Sequence, residues 1–208
     1  MSYVSSVVPL PGVGSSSVRL VPATFWQRLA AGLIDFVLIG VVVFSLGRLC
    51  STSKSIALVL VVPLALAASV YSAVGHALYG RTVGKYLLKI RVVQLAGTPV
   101  GWNEALRRSS VDGVFGLVWL TGLIVAVSQL RAEAFQGQGW GALYKFLAPL
   151  FPAHVRSLLE LNGYWVWSEF ATMLLNRNRR ALHDFIGSTR VVRIESIDGA
   201  SVHSAATY

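Results

Sequence analysis

The residue of this chain whose chemistry is most constrained is Asp35, which lies in an apolar block from Leu29 to Leu46. An ionised carboxylate near the middle of a membrane helix costs about 2.5 to 3.5 kcal/mol unless it is paired or protonated. Arg28 stands about 10 Å away along a helix, so a direct pair would require both side chains to lean together, and a partner from another helix is equally compatible. Asp35 is therefore either an ion or proton site or part of a buried polar network that fixes how helices pack.

Glu169 is a second carboxylate placed among apolar and tryptophan residues, and it extends the same two interpretations. Arg108 or Arg180 could reach it, because long basic side chains can extend along an apolar surface while the charged end stays polar. Asp112 lies at the start of a third apolar block and is a secondary candidate for the same site.

His183 and Asp184 follow the basic pair Arg179 and Arg180. A His-Asp pair indicates acid-base catalysis only where a nucleophile converges on it, and the sequence contains no Ser or Cys nucleophile motif. We predict that Asp184 accepts hydrogen bonds from arginine side chains or loop backbone and holds the last segment against the helices. An enzymatic activity is not predicted.

The segment from Gly80 to Lys85 superficially resembles a phosphate-binding loop. Three residues separate Gly80 from Gly84 where that loop requires four, and Tyr86 replaces the hydroxyl residue that binds Mg²⁺. ATP binding is therefore not predicted, and no other cofactor motif is present. The single cysteine, Cys50, provides neither a disulfide nor a metal-binding pair.

The elements that carry these residues follow from composition. Of 208 residues, 54% are hydrophobic and 13% charged, against about 25% charged in a soluble domain, and the mean hydropathy is +0.62. The net charge of +9 is concentrated at the ends of apolar blocks, which favours membrane topology and anionic lipid head groups as partners over nucleic acid. The composition predicts a polytopic membrane protein.

The chain is predicted to be an all-α membrane domain with about four transmembrane helices and a small cytoplasmic β-ribbon. Residues 1–24 and 196–208 are expected to be flexible tails around a domain of residues 25–195. The stretch from Leu143 to Ala153 is too short to cross a bilayer and is expected to be interfacial or re-entrant. The expected spans are residues 29–47, 56–79, 111–130 and 161–176.

The loop of residues 80–110 carries six basic residues and one acid, Glu104, which predicts a cytoplasmic location. With both termini also inside, 13 of the 18 basic residues lie on the cytoplasmic side, and a bacterial cytoplasmic membrane is favoured. Within the loop, residues 86–95 are prone to form a strand, and Arg91-Val92-Val93 is repeated as Arg190-Val191-Val192. These two segments are predicted to pair as the β-ribbon.

Three segments together resemble the RDD family of membrane proteins, which is named for one arginine and two aspartates. They are Arg28 to Asp35, then Gly80 to Lys85 leading into Ile90 to Val93, and finally Leu182 to Thr189. The resemblance implies that Arg28, Asp35 and Asp184 are the family's arginine and aspartates, and that Gly84 and Lys85 are its loop motif. Residues 132–160 look longer than the usual link, and Lys89 stands where a glycine is common.

The RDD resemblance implies a fold more definitely than an activity. Transport of unidentified ligands has been suggested for the family, with sodium/proton exchange for some members, whereas eukaryotic relatives look like accessory subunits of membrane complexes. The leading hypothesis is a transport or cation/proton exchange component that uses Asp35. The alternative is an accessory or scaffold subunit, and in either case we expect a homo-oligomer or a larger membrane complex.

Overall fold

The fold is known from a computed structural model that describes residues 7–9, 17–176 and 178–196. Within these ranges the helices are α1 (Phe25–Cys50), α2 (Lys54–Tyr79), α3 (Val83–Leu87), α4 (Trp102–Gln129), α5 (Trp140–Leu147), α6 (Ala153–Leu175) and α7 (Leu182–Ile186). The strands are β1 (Val7–Pro9), β2 (Ser17–Pro22), β3 (Ile90–Gln94) and β4 (Thr189–Ser196).

Three of the helices, α1, α2 and α4, are long and apolar enough to cross a membrane. They correspond to the first three predicted spans. The fourth predicted span lies within α6, whose 23 residues would extend about 35 Å. However, α6 includes Arg156, Glu160 and Glu169, and it is not among the helices that pass the same test. A fourth crossing therefore stays a prediction.

The helix boundaries differ from the predicted spans where polar residues continue a helix. Helix α1 begins at Phe25 because Thr24 caps it: Gln27 N–H donates to Thr24 Oγ1, and the Gln27 side chain accepts from Thr24 N–H. Helix α4 begins at Trp102 rather than at the apolar block, since the polar turns before it are helical as well. Hydropathy alone detects the apolar part of each helix.

The strands form one antiparallel sheet in the order β1-β2-β4-β3. The predicted β-ribbon is confirmed, with Arg91 opposite Val192 and Val92 opposite Val191. Strand β2 adds to the free edge of β4, where Leu20 lies opposite Ile194, because an open strand edge offers backbone groups for pairing.

Strand β2 therefore differs from the expectation that residues 1–24 form a flexible tail. At Ser17–Pro22 the chain is in the sheet, and Ala23 N–H continues the contact by donating to Val191 O at 3.0 Å. The predicted C-terminal tail falls almost entirely on residues 197–208, which lie outside the described residues.

The sheet lies at one end of the long helices. Strand β2 ends just before α1 begins, β3 lies between the end of α2 and the start of α4, and β4 follows α6 through α7. The four long helices therefore have one end each at the sheet. An apolar cluster joins the two, and its buried members are Ala23, Ala31, Ile90, Val92, Val100, Ala105 and Val191.

The opposite end of the helices is closed by α5, whose Leu143 and Leu147 are fully buried in an apolar cluster that also contains residues of α2 and α4. This is the stretch expected to be interfacial or re-entrant. Gly47 permits the approach of Trp140, because a Cβ atom at Gly47 would lie 2.5 Å from the indole ring. The Lys54 ammonium closes the end of α4 by donating to Ser128 O and Leu130 O at 2.8 and 2.7 Å.

The chain contains an approximate internal repeat, which the strand register makes visible. Both α3 and α7 are five-residue helices, and each leads through a residue of positive φ, Lys89 (55°) or Ser188 (53°), into a strand containing Arg-Val-Val. Val92 and Val191 are equivalent in this repeat, and they also lie opposite each other in the ladder. The repeated segments, residues 82–93 and 181–192, are therefore related by an approximate twofold axis through that pair.

Candidate functional site: two carboxylate centres

The first polar centre surrounds Asp35, near the sheet end of α1, and we call it the Asp35 centre. Tyr71 Oη on α2 donates to Asp35 Oδ1 at 2.6 Å, and the backbone N–H of Gly84 donates to the same oxygen at 2.8 Å. The Thr82 hydroxyl donates to Oδ2. Both carboxylate oxygens are thus satisfied by uncharged donors, and among the described residues no Lys, Arg or His side chain forms an ion pair with Asp35.

Gly84 allows this centre to form because it brings the backbone of α3 against α1. A Cβ atom at position 84 would lie 2.1 Å from Ala31 O and 3.0 Å from the carboxyl carbon of Asp35. Tyr71 supports the same approach by also accepting a hydrogen bond from Val83 N–H at 2.9 Å. The glycine of the loop motif therefore has a steric role: it places a backbone amide on a carboxylate inside the helix bundle.

The nearest cation to Asp35 in this hydrogen-bond network is Lys85. Its Nζ lies 3.3 Å from Thr82 Oγ1, so that one hydroxyl joins the ammonium to the carboxylate. Burial lowers the pKa of Lys85 to about 8, with a further decrease from Arg108, while Asp35 acts in the opposite direction. Lys85 can therefore change its charge within the physiological range.

The second polar centre surrounds Asp184 on α7, and we call it the Asp184 centre. Arg28 Nη2 donates to Asp184 Oδ2 at 2.6 Å, Arg108 Nη1 donates to Oδ1, and the backbone N–H of Ala181 donates to Oδ2 at 2.9 Å. The Asp184 side chain has 0% exposure. Arg28 comes from α1 and Arg108 from α4, so the Asp184 carboxylate links α1, α4 and α7.

The positive charges of two arginines keep the Asp184 carboxyl ionised. Burial by itself would raise the pKa of this carboxyl, but Arg108 and Arg28 outweigh burial and hold the pKa well below its usual range. Arginine stays protonated in proteins. The three side chains therefore form a fixed ionic group with one excess positive charge, which does not exchange protons near neutral pH.

His183 extends the Asp184 centre toward α6. Its Nε2 lies 2.6 Å from Arg108 Nη2, and arginine can only donate, so Nε2 accepts and the ring proton is on Nδ1. Nδ1 donates to Glu169 Oε1, which also accepts from His183 N–H at 3.3 Å. Burial lowers the pKa of His183, and Arg108 lowers it further, which agrees with a neutral ring between a cation and a carboxylate.

Comparison with known proteins identifies the family of this chain. The RDD family matches residues 22–188, which begin at the end of β2 and include both carboxylate centres. The chain belongs to the RDD family. No curated protein and no solved structure gives a significant match.

The other candidate site residues of this RDD protein do not contact the side-chain carboxylate of Asp35 or Asp184. Arg180 donates to the backbone oxygens of Asp184 and Thr189 at 3.0 and 3.2 Å and stacks on Phe185, so it attaches α7 to β4. Asp112 accepts from Trp165 Nε1 at 3.3 Å and links α4 to α6.

Arg91 contacts neither centre. On β3 it packs beside Gly80, where a Cβ would lie 2.7 Å from Arg91 Nε, and burial followed by the charge of Arg81 lowers its pKa. Among the described residues, no group of three or more His, Cys, Asp and Glu side chains is arranged to hold a metal ion.

The structure thus divides the family's signature residues of this RDD protein between two places. Arg28 pairs with Asp184 and not with Asp35. Asp35 instead has partners from other segments, which is one of the two possibilities that the sequence left open. The expectation that Asp184 accepts hydrogen bonds from arginines and backbone is what the structure has.

Sequence reasoning missed three side chains of the centres. Tyr71, Thr82 and Thr189 are common residue types without a distinctive spacing, and Thr189 accepts a hydrogen bond from Arg108 Nη1 at 2.9 Å. Thr82 adjoins the Gly84-Lys85 motif, and this adjacency was the one available signal for it.

Proposed function

We propose that this RDD protein is a transport component that exchanges a monovalent cation for protons across the membrane, with Asp35 as the embedded charge. The observation that carries the proposal is the contrast in charge balance. Asp184 is neutralised by two arginines, whereas Asp35 has hydrogen-bond donors but no directly paired cation among the described residues. A half-buried carboxylate at membrane depth without a fixed counter-charge is suited to bind a proton or a cation reversibly.

The proposed topology has four crossings with both termini in the cytoplasm of a bacterium. The sheet supports this arrangement, because it gathers the start of α1, the end of α2, the start of α4 and the end of α6. If α1, α2 and α4 cross, α6 must return the chain to the sheet side. The 23 residues of α6 suffice for that distance, and the basic residues near the sheet would face anionic lipid head groups.

A labelling experiment tests this topology. Cys50 is buried and can be replaced by serine, after which single cysteines are introduced at the exposed Thr98, beside the sheet, and at the exposed Gln136, near α5. In intact cells, a membrane-impermeant maleimide should label position 136 and leave position 98 unlabelled until the cells are opened. Labelling of both positions in intact cells would contradict the four-crossing topology.

The exchange activity is tested in liposomes. The purified protein is reconstituted with an imposed Na⁺ or K⁺ gradient, and lumenal pH is followed with a trapped dye. Wild type and Glu133→Gln should both move protons, since Glu133 is exposed at the far end from the sheet, while Asp35→Asn should not. A wild type that exchanges neither cation overturns the proposed activity, and an active Asp35→Asn protein overturns the role of Asp35.

A second candidate function, an accessory or scaffold subunit, is favoured by the outer surface of α1. In the most apolar 18-residue window of α1, only 6% is buried within the chain, and Phe36, Val37 and Val41 are 74, 62 and 62% exposed. This face is available to lipid or to another membrane helix, including that of a second copy. Native mass measurement in nanodiscs distinguishes these arrangements. A monomeric mass contradicts self-association. A partner protein that copurifies with wild type but not with Val41→Trp supports the scaffold function.

A further inference from the structure

Lys85, which is half-buried, is the cation with the fewest fixed contacts in the polar centres. An ammonium group has three N–H donors, and among the described residues Thr82 Oγ1, at 3.3 Å, is its hydrogen-bond acceptor. By contrast, Arg28 and Arg108 each donate to Asp184 and to at least one further acceptor. Lys85 is therefore held close to Asp35 without being locked into an ion pair.

Charged and titratable groups from four other elements face Lys85. They are Asp35 and Arg28 on α1, His76 on α2, Arg108 on α4 and Asp184 on α7. The arginines and Asp184 form a group of constant charge, as described above. Among the other groups, the Lys85 ammonium leaves two of its three N–H donors without an acceptor among the described residues.

His76 adds a buried ring nitrogen within electrostatic range of Lys85. Its Nδ1 lies 3.3 Å from Ser72 Oγ, but its buried Nε2 has no hydrogen-bond partner among the described residues. An unsatisfied buried nitrogen of this kind costs free energy unless a small polar species occupies the adjacent position. A water molecule or an ion at this position would lie in electrostatic range of Lys85.

We propose that Lys85 and Asp35, joined through the Thr82 hydroxyl, form one proton-or-cation site, in which a proton on Lys85 and a monovalent cation beside Asp35 compete for the same negative charge. When the ammonium loses its proton to water, the nitrogen keeps the electron pair and becomes neutral. Asp35 then lacks compensation, and a monovalent cation can supply it. This inference rests on the proposed exchange function and gives its proton a specific atom, Lys85 Nζ.

The ionisation of Lys85 can be measured directly in the intact protein. The chain contains four lysines, Lys54, Lys85, Lys89 and Lys145, so lysine labelled with ¹³C at Cε gives few NMR signals in nanodiscs. The signal lost in Lys85→Arg assigns Lys85, and if that variant does not fold, arginine replacement of the other three assigns it by elimination. We expect the Lys85 midpoint near pH 8, below the value of about 10.4 for an unperturbed lysine.

Competition is tested by repeating the titration in NaCl, KCl or choline chloride at equal ionic strength. A cation beside Asp35 should move the Lys85 midpoint to lower pH, and Asp35→Asn should remove this shift. A Lys85 midpoint near about 10.4, the value of an unperturbed lysine, or a midpoint that no cation moves, overturns the inference. If the Lys85 midpoint is insensitive to cations but the protein exchanges ions in liposomes, the proposed exchange function stands and the role of Lys85 is overturned. If the midpoint responds to cations but no exchange occurs, the site is supported and the transport function is overturned.

Discussion

The Asp35 and Asp184 centres hold their carboxylates by different means. Asp184 is bound by two arginines and a backbone amide, and Asp35 by two hydroxyls and a backbone amide. In the internal repeat, Lys85 on α3 is equivalent to Asp184 on α7, so the charge of the short helix is reversed between the two halves. The two acids of the family name therefore have different surroundings: Asp184 is neutralised by arginines, whereas Asp35 is held by neutral hydrogen-bond donors.

The largest predicted effect is that of Asp184→Asn. Removing this charge leaves Arg28 and Arg108 buried together without a counter-ion, which typically costs about 3 to 5 kcal/mol. We expect a much lower yield of folded protein and a large decrease in the midpoint of thermal unfolding in detergent. Glu160→Gln, on an exposed position of α6, is the matched control, and equal melting of the two variants would refute a structural role for the Asp184 centre.

The next effect is steric and belongs to the Asp35 centre. In Gly84→Ala, the new methyl group collides with Ala31 O, so α3 must move and the amide bond to Asp35 lengthens. A loss of about 1 to 3 kcal/mol is expected from overpacking, measured by thermal unfolding. Gly32→Ala and Gly40→Ala are controls on α1 with open space at Cβ. If either control is destabilised as much as Gly84→Ala, the close approach of α3 to Ala31 is not the cause of the destabilisation.

Asp35→Asn should destabilise the fold less than Asp184→Asn. Its partners are neutral, and the remaining amide oxygen can still accept some of their hydrogen bonds, so the expected loss is about 1 to 2 kcal/mol. The two variants are to be compared by chemical denaturation in the same detergent. If Asp35→Asn unfolds as readily as Asp184→Asn, both centres are structural and the contrast between them disappears.

The smallest expected effect is that of Thr189→Val. The substitution removes the hydroxyl that accepts from Arg108 Nη1 but leaves the contacts of Arg108 with Asp184 and His183, so the cost is about 1 kcal/mol. Liposome exchange should be unchanged within error. Thr121→Val, where the hydroxyl bonds within α4, serves as the control, and loss of exchange in Thr189→Val alone would connect the Asp184 centre with transport.

Sequence reasoning predicted the parts of the fold that depend on local pattern. Apolar blocks gave three membrane helices, and the repeated Arg-Val-Val gave the β3-β4 pairing. It missed β2, because a single strand of mixed composition has no signal until its partner edge is known. For the same reason Arg28 could be recognised as a candidate but not assigned to Asp184, 156 residues away.

The candidate site was predictable to the extent that burial of charge is visible in sequence. Asp35 stands out because a carboxylate is expensive in an apolar block, whereas Asp184 and Lys85 stand out through the RDD resemblance. The division into two centres was not predictable, because it depends on which helices cross beside each other. Gly84 illustrates the point: its importance comes from one backbone approach to Ala31 that no spacing reveals.

The sheet also sets the depth of the helices. Ile90 and Val92 are both fully buried on one face of β3, so a slip of one residue would remove them from their apolar cluster and shift the strand by about 3.3 Å. Because β2, β3 and β4 are each connected directly or through one short helix to a long helix, such a slip would pull that helix vertically past its neighbours. The register of the strand ladder therefore fixes the relative heights of the helices, and with them the positions of their charged residues.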